Sequence, residues 1–346
     1  IAITSSNPLS TQDDVAAALD EEENIDVYAK RGVDEDTYEG QLQKVLQTKP
    51  HLIIDDGGDL VEQLHGPLEE LSERVIGGCE ETTTGIHRLK ALENQNLLNF
   101  PMFGVNDAKM KYLFDNRYGT GQSTWDAIMR TTNLSVAGST AVVVGYGWCG
   151  KGIAKRAEGL GASVIVVEVD PIKAIEAKMD GYQIMNIEEA APKGDFFITS
   201  TSCKNAIPEE ALQKIKDGSI LANSGHFNVE IDLESLKEMS RKRSEVRENI
   251  ARYDTNDGRA IYVLGEGRLV NLVAGDGHPA EIMDISFALQ MLTTRHLVEN
   301  SGDLESKLHS VPEHIDRKVA ETKLETMGIE IDHLSEEQKE YLEHWS

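Results

Sequence analysis

The stretch AVVVGYGWCGKGIAKRAEGLGASVIVVEVD, residues 141–170, limits the fold more than any other part of the chain. An apolar, β-branched run meets Gly145, Gly147 and Gly150, a helical pattern follows, and a second apolar run ends at Glu168 and Asp170. It reads as strand, glycine turn, helix, strand. The first glycine permits a tight turn, the second lets backbone amides approach a pyrophosphate, and the third lets helix and strand pack closely, so that the anion sits at a helix N-terminus. Glu168, about 20 residues on, is placed to accept hydrogen bonds from the adenosine ribose hydroxyls and to repel a 2′-phosphate. The expected cofactor is therefore NAD rather than NADP. The competing account is a plain glycine turn in an ordinary α/β domain.

Around this unit, over residues 140–272, short apolar runs alternate with helical patterns: AVVVG, SVIVVEV, YQIMN, DFFITS, SILANS, AIYVLG and GRLVNL. The alternation predicts a mainly parallel sheet with helices on both faces. HLIIDD (51–56) and ERVIGGC (73–79) form the strands of a second α/β unit, and PAEIMDISFALQMLTTRHLV, after Gly277, is a helix leaving the first unit to pack on the second. The expected fold is α/β, a Rossmann-type doubly wound NAD domain inserted into a second α/β substrate domain. The boundaries expected are 1–118 for the substrate part, 119–276 for the NAD-binding part, 277–325 for the return helices and 326–346 for a tail. A chain of 346 residues is long enough for two such cores. It opens on IAITSSN without a methionine, as though a strand had been cut, and so reads as a fragment.

Charge narrows the partners. With 34 basic against 60 acidic residues the formal net charge is −26, which repels nucleic acid and anionic membranes. There is no run of 18 apolar residues and no basic, apolar leader, so neither a membrane span nor a secretory signal is expected. Cys79, Cys149 and Cys203 cannot all pair and show no metal-ligand spacing, which points to a reducing cytoplasm and no metal. The acidic clusters at 20–24, 34–39 and the tail read as solvated surface. They also suit a high-salt cytoplasm, where at ~1 M the screening length falls to roughly 3 Å.

Four polar constellations remain. DDGGDL places Asp55 and Asp56 at a strand end, where carboxylates either face a ligand crevice or close a turn. GCEETTTG sets Glu80 and Glu81 beside Thr82, Thr83 and Thr84, whose hydroxyls suit a ribose or an amide; a helix cap is the alternative. Lys111 and Asp115 stand four apart on one helical face. They make either a surface ion pair contributing roughly 0.3–0.5 kcal/mol or a lysine held to orient or deprotonate a hydroxyl. His226 in NSGHF and His278 in AGDGHP each sit beside glycine, as proton-exchanging or as structural histidines.

Taken in order, SSNPLSTQDDVAAAL, DDGGDL, EETTTG, FDNRYGTGQS, GYGWCGKG, NSGHFNVEID and GRLVNLVAGDGHP resemble the S-adenosylhomocysteine hydrolase family, and WCGK in the glycine loop resembles its archaeal and thermophilic-bacterial branch. The resemblance runs from Ile1 to about Leu297. It implies reversible hydrolysis of S-adenosylhomocysteine to adenosine and homocysteine by an NAD-bearing, cytoplasmic homotetramer. Oxidation of the ribose 3′-hydroxyl acidifies the C4′ hydrogen, homocysteine leaves from C5′, water adds, and the stored hydride returns. A thioether leaves poorly without an adjacent carbanion, which explains a redox cofactor in a hydrolase.

By motif, the resemblance implies that Lys111 and Asp115 serve the 3′-hydroxyl, with Asn116 orienting lysine and nicotinamide. Asp56 moves the C4′ proton, Glu81 binds ribose hydroxyls, and His226 assists at C5′. Thr82, Thr83, Thr84, Gly145, Gly147, Gly150, Gly152, Glu168, Thr201, Ser224, Gly225, His226 and Asn271 contact the cofactor. His278 lies at the hinge near cofactor and substrate, and Asn106 near the substrate. The family's upstream histidine and threonine that contact adenosine fall before Ile1, and Lys173 stands where many members carry asparagine. Two rival readings are a catalytically silent NAD-binding regulator and a hydroxyacid-type dehydrogenase.

Overall fold

The computed structural model describes residues 1–345. Its strands in chain order are β1 Ala2–Thr4, β2 Asp26–Tyr28, β3 Leu52–Asp55, β4 Gly77–Glu80, β5 Met102–Gly104, β6 Thr140–Val144 and β7 Ser163–Val167. There follow β8 Gln183–Ile184, β9 Phe196–Thr199, β10 Ile220–Asn223, β11 Ser240–Arg247, β12 Ile250–Thr255, β13 Ala260–Leu264 and β14 Leu308–Ser310.

The larger sheet runs β11-β12-β13-β10-β9-β6-β7-β8. From β8 to β13 every pairing is parallel, in the doubly wound order that reverses direction between β6 and β9. β6 lies at that switch point and is buried on both sides. Ala141 and Val143 pack with Ile198, Trp125 and Ile128 on one face, and Val142 and Val144 with Phe197, Leu212 and Ile231 on the other. A strand covered on both faces is read as a continuous apolar run, which is why AVVVG was plain in the sequence.

Several segments differ from expectation. GRLVNL is no strand: Val270–Val273 is a helical turn and only Leu269 makes an isolated bridge, to Asn223. ERVIGGC becomes strand only from Gly77, since Glu69–Arg74 is a 3₁₀ helix. SRKRSEVR, which has no apolar pattern, is the edge strand β11, paired antiparallel with β12 and largely exposed. Charged side chains on an edge strand block pairing with another chain, and they also erase the alternation that reveals a strand.

The second sheet is all parallel, in the order β14-β5-β4-β3, while β1 and β2 pair separately. Helix Ala280–Asn300 crosses back onto it as expected, packing Ile285, Leu289 and Leu297 against Cys79, Phe103 and Val105. On one face of the larger sheet, helix Thr120–Thr132 lies against the glycine-loop helix Trp148–Gly159, with Trp125 Nε1 donating to the Ile153 carbonyl at 2.9 Å. Gly121 meets the backbone of Gly152 so closely that a Cβ on Gly121 would stand 2.5 Å from it. Residues 20–24, 34–36 and 329–345 are exposed, carrying 13 of the 60 acidic residues. Among the described residues no helix is long and apolar enough to cross a membrane.

Candidate active site

After β6 the chain turns at Gly145, whose φ of +97° favours glycine. Gly147 has open space where a Cβ would project, and a Cβ on Gly150 would overlap the Gly145 carbonyl. The three glycines thus supply a turn, an open cradle and close helix packing. A Cβ on Gly152 would overlap the Arg117 carbonyl, joining this loop to the segment that carries Lys111. Beyond β7, Glu168 is fixed by backbone amides: Oε2 accepts from Tyr146 at 2.7 Å, and Oε1 from Val169 at 2.7 Å and Asp170 at 3.0 Å.

The loops after β9 and β10 open onto the same edge. Thr201 donates its amide and hydroxyl to the buried Glu230, at 2.8 and 2.7 Å. Ser224 bonds Thr124 at 2.9 Å, and the Gly225 amide donates to Asn223 Oδ1 at 2.7 Å. Asn271 donates to Ser123 at 3.1 Å, while its own Oδ1 is buried with no partner. An orphaned acceptor here, an open glycine cradle and a carboxylate clamped in place fit a dinucleotide along this edge.

Facing that edge, Lys111 is 5 % exposed and Asp115 4 %. Lys111 Nζ lies 3.1 Å from Glu81, 3.0 Å from Asp115 and 2.9 Å from Asn116 Oδ1. The segment Tyr112–Gly119 winds as a π-helix, in which residues five apart come into register, and the lysine thereby reaches both Asp115 and Asn116. Sequence reasoning had the pair on one face but not this winding. Asn116 in turn donates to Asn106 at 3.0 Å, which also accepts from Thr83 at 3.3 Å.

Burial alone would depress the Lys111 ammonium, but Glu81 and Asp115 outweigh it and hold the lysine protonated. Burial likewise disfavours ionised Asp115, yet Lys111, His278 and Ser286 keep its carboxyl well below the usual range. Glu81 moves the other way: burial, opposed by Lys111 and reinforced by Asp115, raises it. One lysine therefore stands between a carboxylate that stays ionised and one that takes up a proton more readily, the division of labour an acid–base site requires.

Two partners escaped the sequence reading. Ser286 Oγ donates to Asp115 at 2.6 Å, and Gln290 Nε2 donates to Glu81. Both lie on helix Ala280–Asn300, four residues apart, and two polar residues at that spacing inside an apolar helix were the available signal. His278 Nδ1 stands 3.1 Å from Asp115, and its Nε2 is 3.3 Å from Thr120 Oγ1.

Asp56 is exposed at the end of β3, next to Gly57, whose α-carbon lies against the ring of His226. His226 Nε2 is buried without a partner. Thr84 is half-buried at the start of helix Thr83–Asn94. Thr82 is the N-cap of that helix, its hydroxyl accepting from the Gly85 amide at 2.9 Å and donating to Glu80 at 2.7 Å. Here the capping account is the one the structure supports. Lys173 lies outside the cluster, 4.0 Å from Asp170.

The profile of the S-adenosyl-L-homocysteine hydrolase family matches residues 1–72, and that of its NAD binding domain matches 116–277. The adenosylhomocysteinase of Archaeoglobus fulgidus is 55% identical over 345 residues, 100% of this chain and 85% of that protein. The chain belongs to the S-adenosyl-L-homocysteine hydrolase family. The adenosylhomocysteinase of Aquifex aeolicus and the S-inosyl-L-homocysteine hydrolase of Methanosarcina mazei are each 55% identical too, with 82% and 83% of their lengths covered. As a member of this hydrolase family the protein uses NAD, for which the edge beside β6 and Asn271 is built.

Proposed function

We infer that this protein is an enzyme that hydrolyses S-adenosyl-L-homocysteine reversibly to adenosine and L-homocysteine with bound NAD. The observation that carries the reading is Lys111, buried between Glu81 and Asp115 on a segment that touches the cofactor loop at Gly152 and stacks Tyr112 on Trp148 at 4.9 Å. When bound, NAD supplies a reversible oxidation at the ribose 3′-carbon, which makes the hydrogen on C4′ acidic.

The chain's own groups have separable tasks in this reading. Glu168 accepts from the adenosine ribose of the cofactor, Asn271 Oδ1 from its amide, and Thr83 and Thr84 line its pocket from the substrate side. The Lys111 ammonium donates to the 3′-oxygen of the substrate, held in place by ionised Asp115 and by Asn116 and Asn106. Glu81 is the store for the hydroxyl proton, because burial raises its affinity for one. His278 supports Asp115. Asp56 reaches the C4′ proton from the solvent-facing end of β3, and His226 Nε2 attends C5′, where thiol and water exchange.

The same reading divides the chain at 1–118, 119–276, 277–325 and 326–346, supported by the match over 116–277 and by the span of the larger sheet. It makes the protein a cytoplasmic homotetramer. The free thiols of Cys79, Cys149 and Cys203 and the exposed apolar side chains Val169, Ile172 and Met179 support that view. Sedimentation at working concentration tests the assembly.

Incubation with adenosine and homocysteine tests the reaction: a thioether product should form with no net reduced nicotinamide. Accumulating reduced cofactor would instead indicate a dehydrogenase, and NAD binding without product a silent relative. An arm with inosine separates the two substrates named among the relatives, since the groups described here address ribose and thioether, which both share.

A further inference from the structure

Glu80 is the last residue of β4, 0 % exposed, and lies directly opposite Asp55 in the register of β3 and β4. Its Oε1 accepts three hydrogen bonds: from the Gly57 amide at 3.0 Å, the Thr82 amide at 2.8 Å and the Thr82 hydroxyl at 2.7 Å. Its Oε2 is buried with no partner at all. Both oxygens of Asp55 are committed as acceptors, Oδ1 to the Asp56 amide at 3.0 Å and Oδ2 to the Val61 amide at 2.9 Å. Two ionised carboxylates facing each other across neighbouring strands repel. No cation relieves them, because Lys111 is spent on Glu81, Asp115 and Asn116, and Arg88 on Asp59, Glu62 and the Gly57 carbonyl. Such a pair settles by holding one proton. The oxygen without a donor, Glu80 Oε2, is where it belongs.

We propose that Glu80 is a positioning residue: a neutral carboxyl that ties the loop carrying Asp56 to the loop carrying Glu81 and so fixes where Asp56 meets the substrate. The Gly57 amide it holds is the next peptide after Asp56, and the same glycine is the floor under His226, where a Cβ would stand 2.5 Å from Nε2. Helix Thr83–Asn94 starts directly above, and a Cβ on Gly85 would overlap the Glu80 carboxyl. Burial raises both acids, Glu80 well above its ordinary range and Asp55 to about 6. The charged or titratable groups around the pair are Tyr38 on helix Glu35–Gln47, Asp56 and Asp59 after β3, Glu81 and Arg88 after β4, and His226 after β10. Only Arg88 is a fixed cation, and it is already paired.

This role rests on the function proposed above, and the experiment separates the two. The NAD-loaded enzyme is mixed with adenosine in deuterium oxide, and two signals are followed: absorbance of reduced nicotinamide, which reports 3′-oxidation, and deuterium entering C4′, which reports the step assigned to Asp56. Glu80→Ala should leave the first rate within about threefold and slow the second about 100-fold, the cost of roughly 1 Å of misplacement. Glu80→Gln keeps the accepting oxygen and the neutral charge, so it should recover exchange to within about threefold. Glu80→Asp withdraws the oxygen by one methylene and should show the same split as alanine, which covers the case in which alanine does not fold. Equal loss of both signals in the aspartate and alanine variants, or no rescue by glutamine, overturns the proposal. A wild-type enzyme that never reduces its nicotinamide overturns the function itself, and this role with it.

Discussion

At the glycine loop, the groups arranged for the cofactor phosphates are backbone amides, and the nearby Lys151 is paired with Glu176 at 2.6 Å and lies over Trp148. In the crevice under helix Ala280–Asn300 the opposite holds: one lysine, two carboxylates, a serine, a glutamine and a histidine are packed out of water and bonded to each other. Backbone dipoles at a loop are fixed by chain geometry and are vulnerable to added atoms. A buried charge cluster is fixed by mutual compensation and is vulnerable to lost charges. Substitutions in the two regions should therefore fail in different ways.

The largest effect is expected at Lys111. Lys111→Met leaves Glu81 and Asp115 facing each other without their cation, so oxidation of adenosine by bound NAD should fall about 1,000-fold and unfolding free energy about 3 kcal/mol. NAD affinity should stay close to wild type. Stopped-flow reduction and denaturant titration measure these, and a wild-type reduction rate would remove the lysine from the mechanism. Glu168→Ala should do the reverse, weakening NAD binding by about 1.5–3 kcal/mol while turnover at saturating cofactor holds. Calorimetric titration decides it; unchanged affinity counts against the ribose assignment.

Gly152→Ala tests whether the two regions are separable at all. Its Cβ would press on the Arg117 carbonyl inside the π-helix, so cofactor affinity and adenosine oxidation should drop together, each about tenfold, with about 1–3 kcal/mol of stability lost. A loss confined to cofactor binding would show that the regions tolerate independent movement. The smallest effect concerns pH. Asp55 has a folded pKa of about 6 against 3.8 ordinarily, so the folded state holds its proton more tightly. That contribution to stability is full below about pH 4 and is lost as pH rises through about 6. Asp55→Asn should flatten this part of the stability curve in urea titrations, and an unaltered slope would clear Asp55 of causing it.

What could be read beforehand follows the same division. β6, β7 and β9 announced themselves because a strand buried on both faces must be apolar along its length, and the glycine spacing followed from steric need. The edge strand β11 was hidden because solvent on both sides leaves charged residues in every register. Lys111 and Asp115 were legible as neighbours, but four-residue spacing does not tell an α-helix from a π-helix, so the link from Lys111 to Asn116 emerged only in three dimensions. Asp55 and Glu80 were visible as acids at strand ends. That they face each other depends on the register between strands some 25 residues apart in sequence, which local pattern does not encode.

The exposed acids at 20–24, 34–36 and along the tail have a kinetic consequence. A chain of net charge −26 presents approaching anions with a repulsive field that acts before any contact is made. Adenosine is uncharged and homocysteine is a zwitterion, so neither has a net charge to be turned away. The phosphorylated nucleosides that share the adenine ring are anions, and their encounters with the crevice are slowed at a distance. The surface should therefore slow the encounter of nucleotides relative to nucleosides, an effect whose reach shrinks from about 10 Å at 0.1 M salt to roughly 3 Å at 1 M.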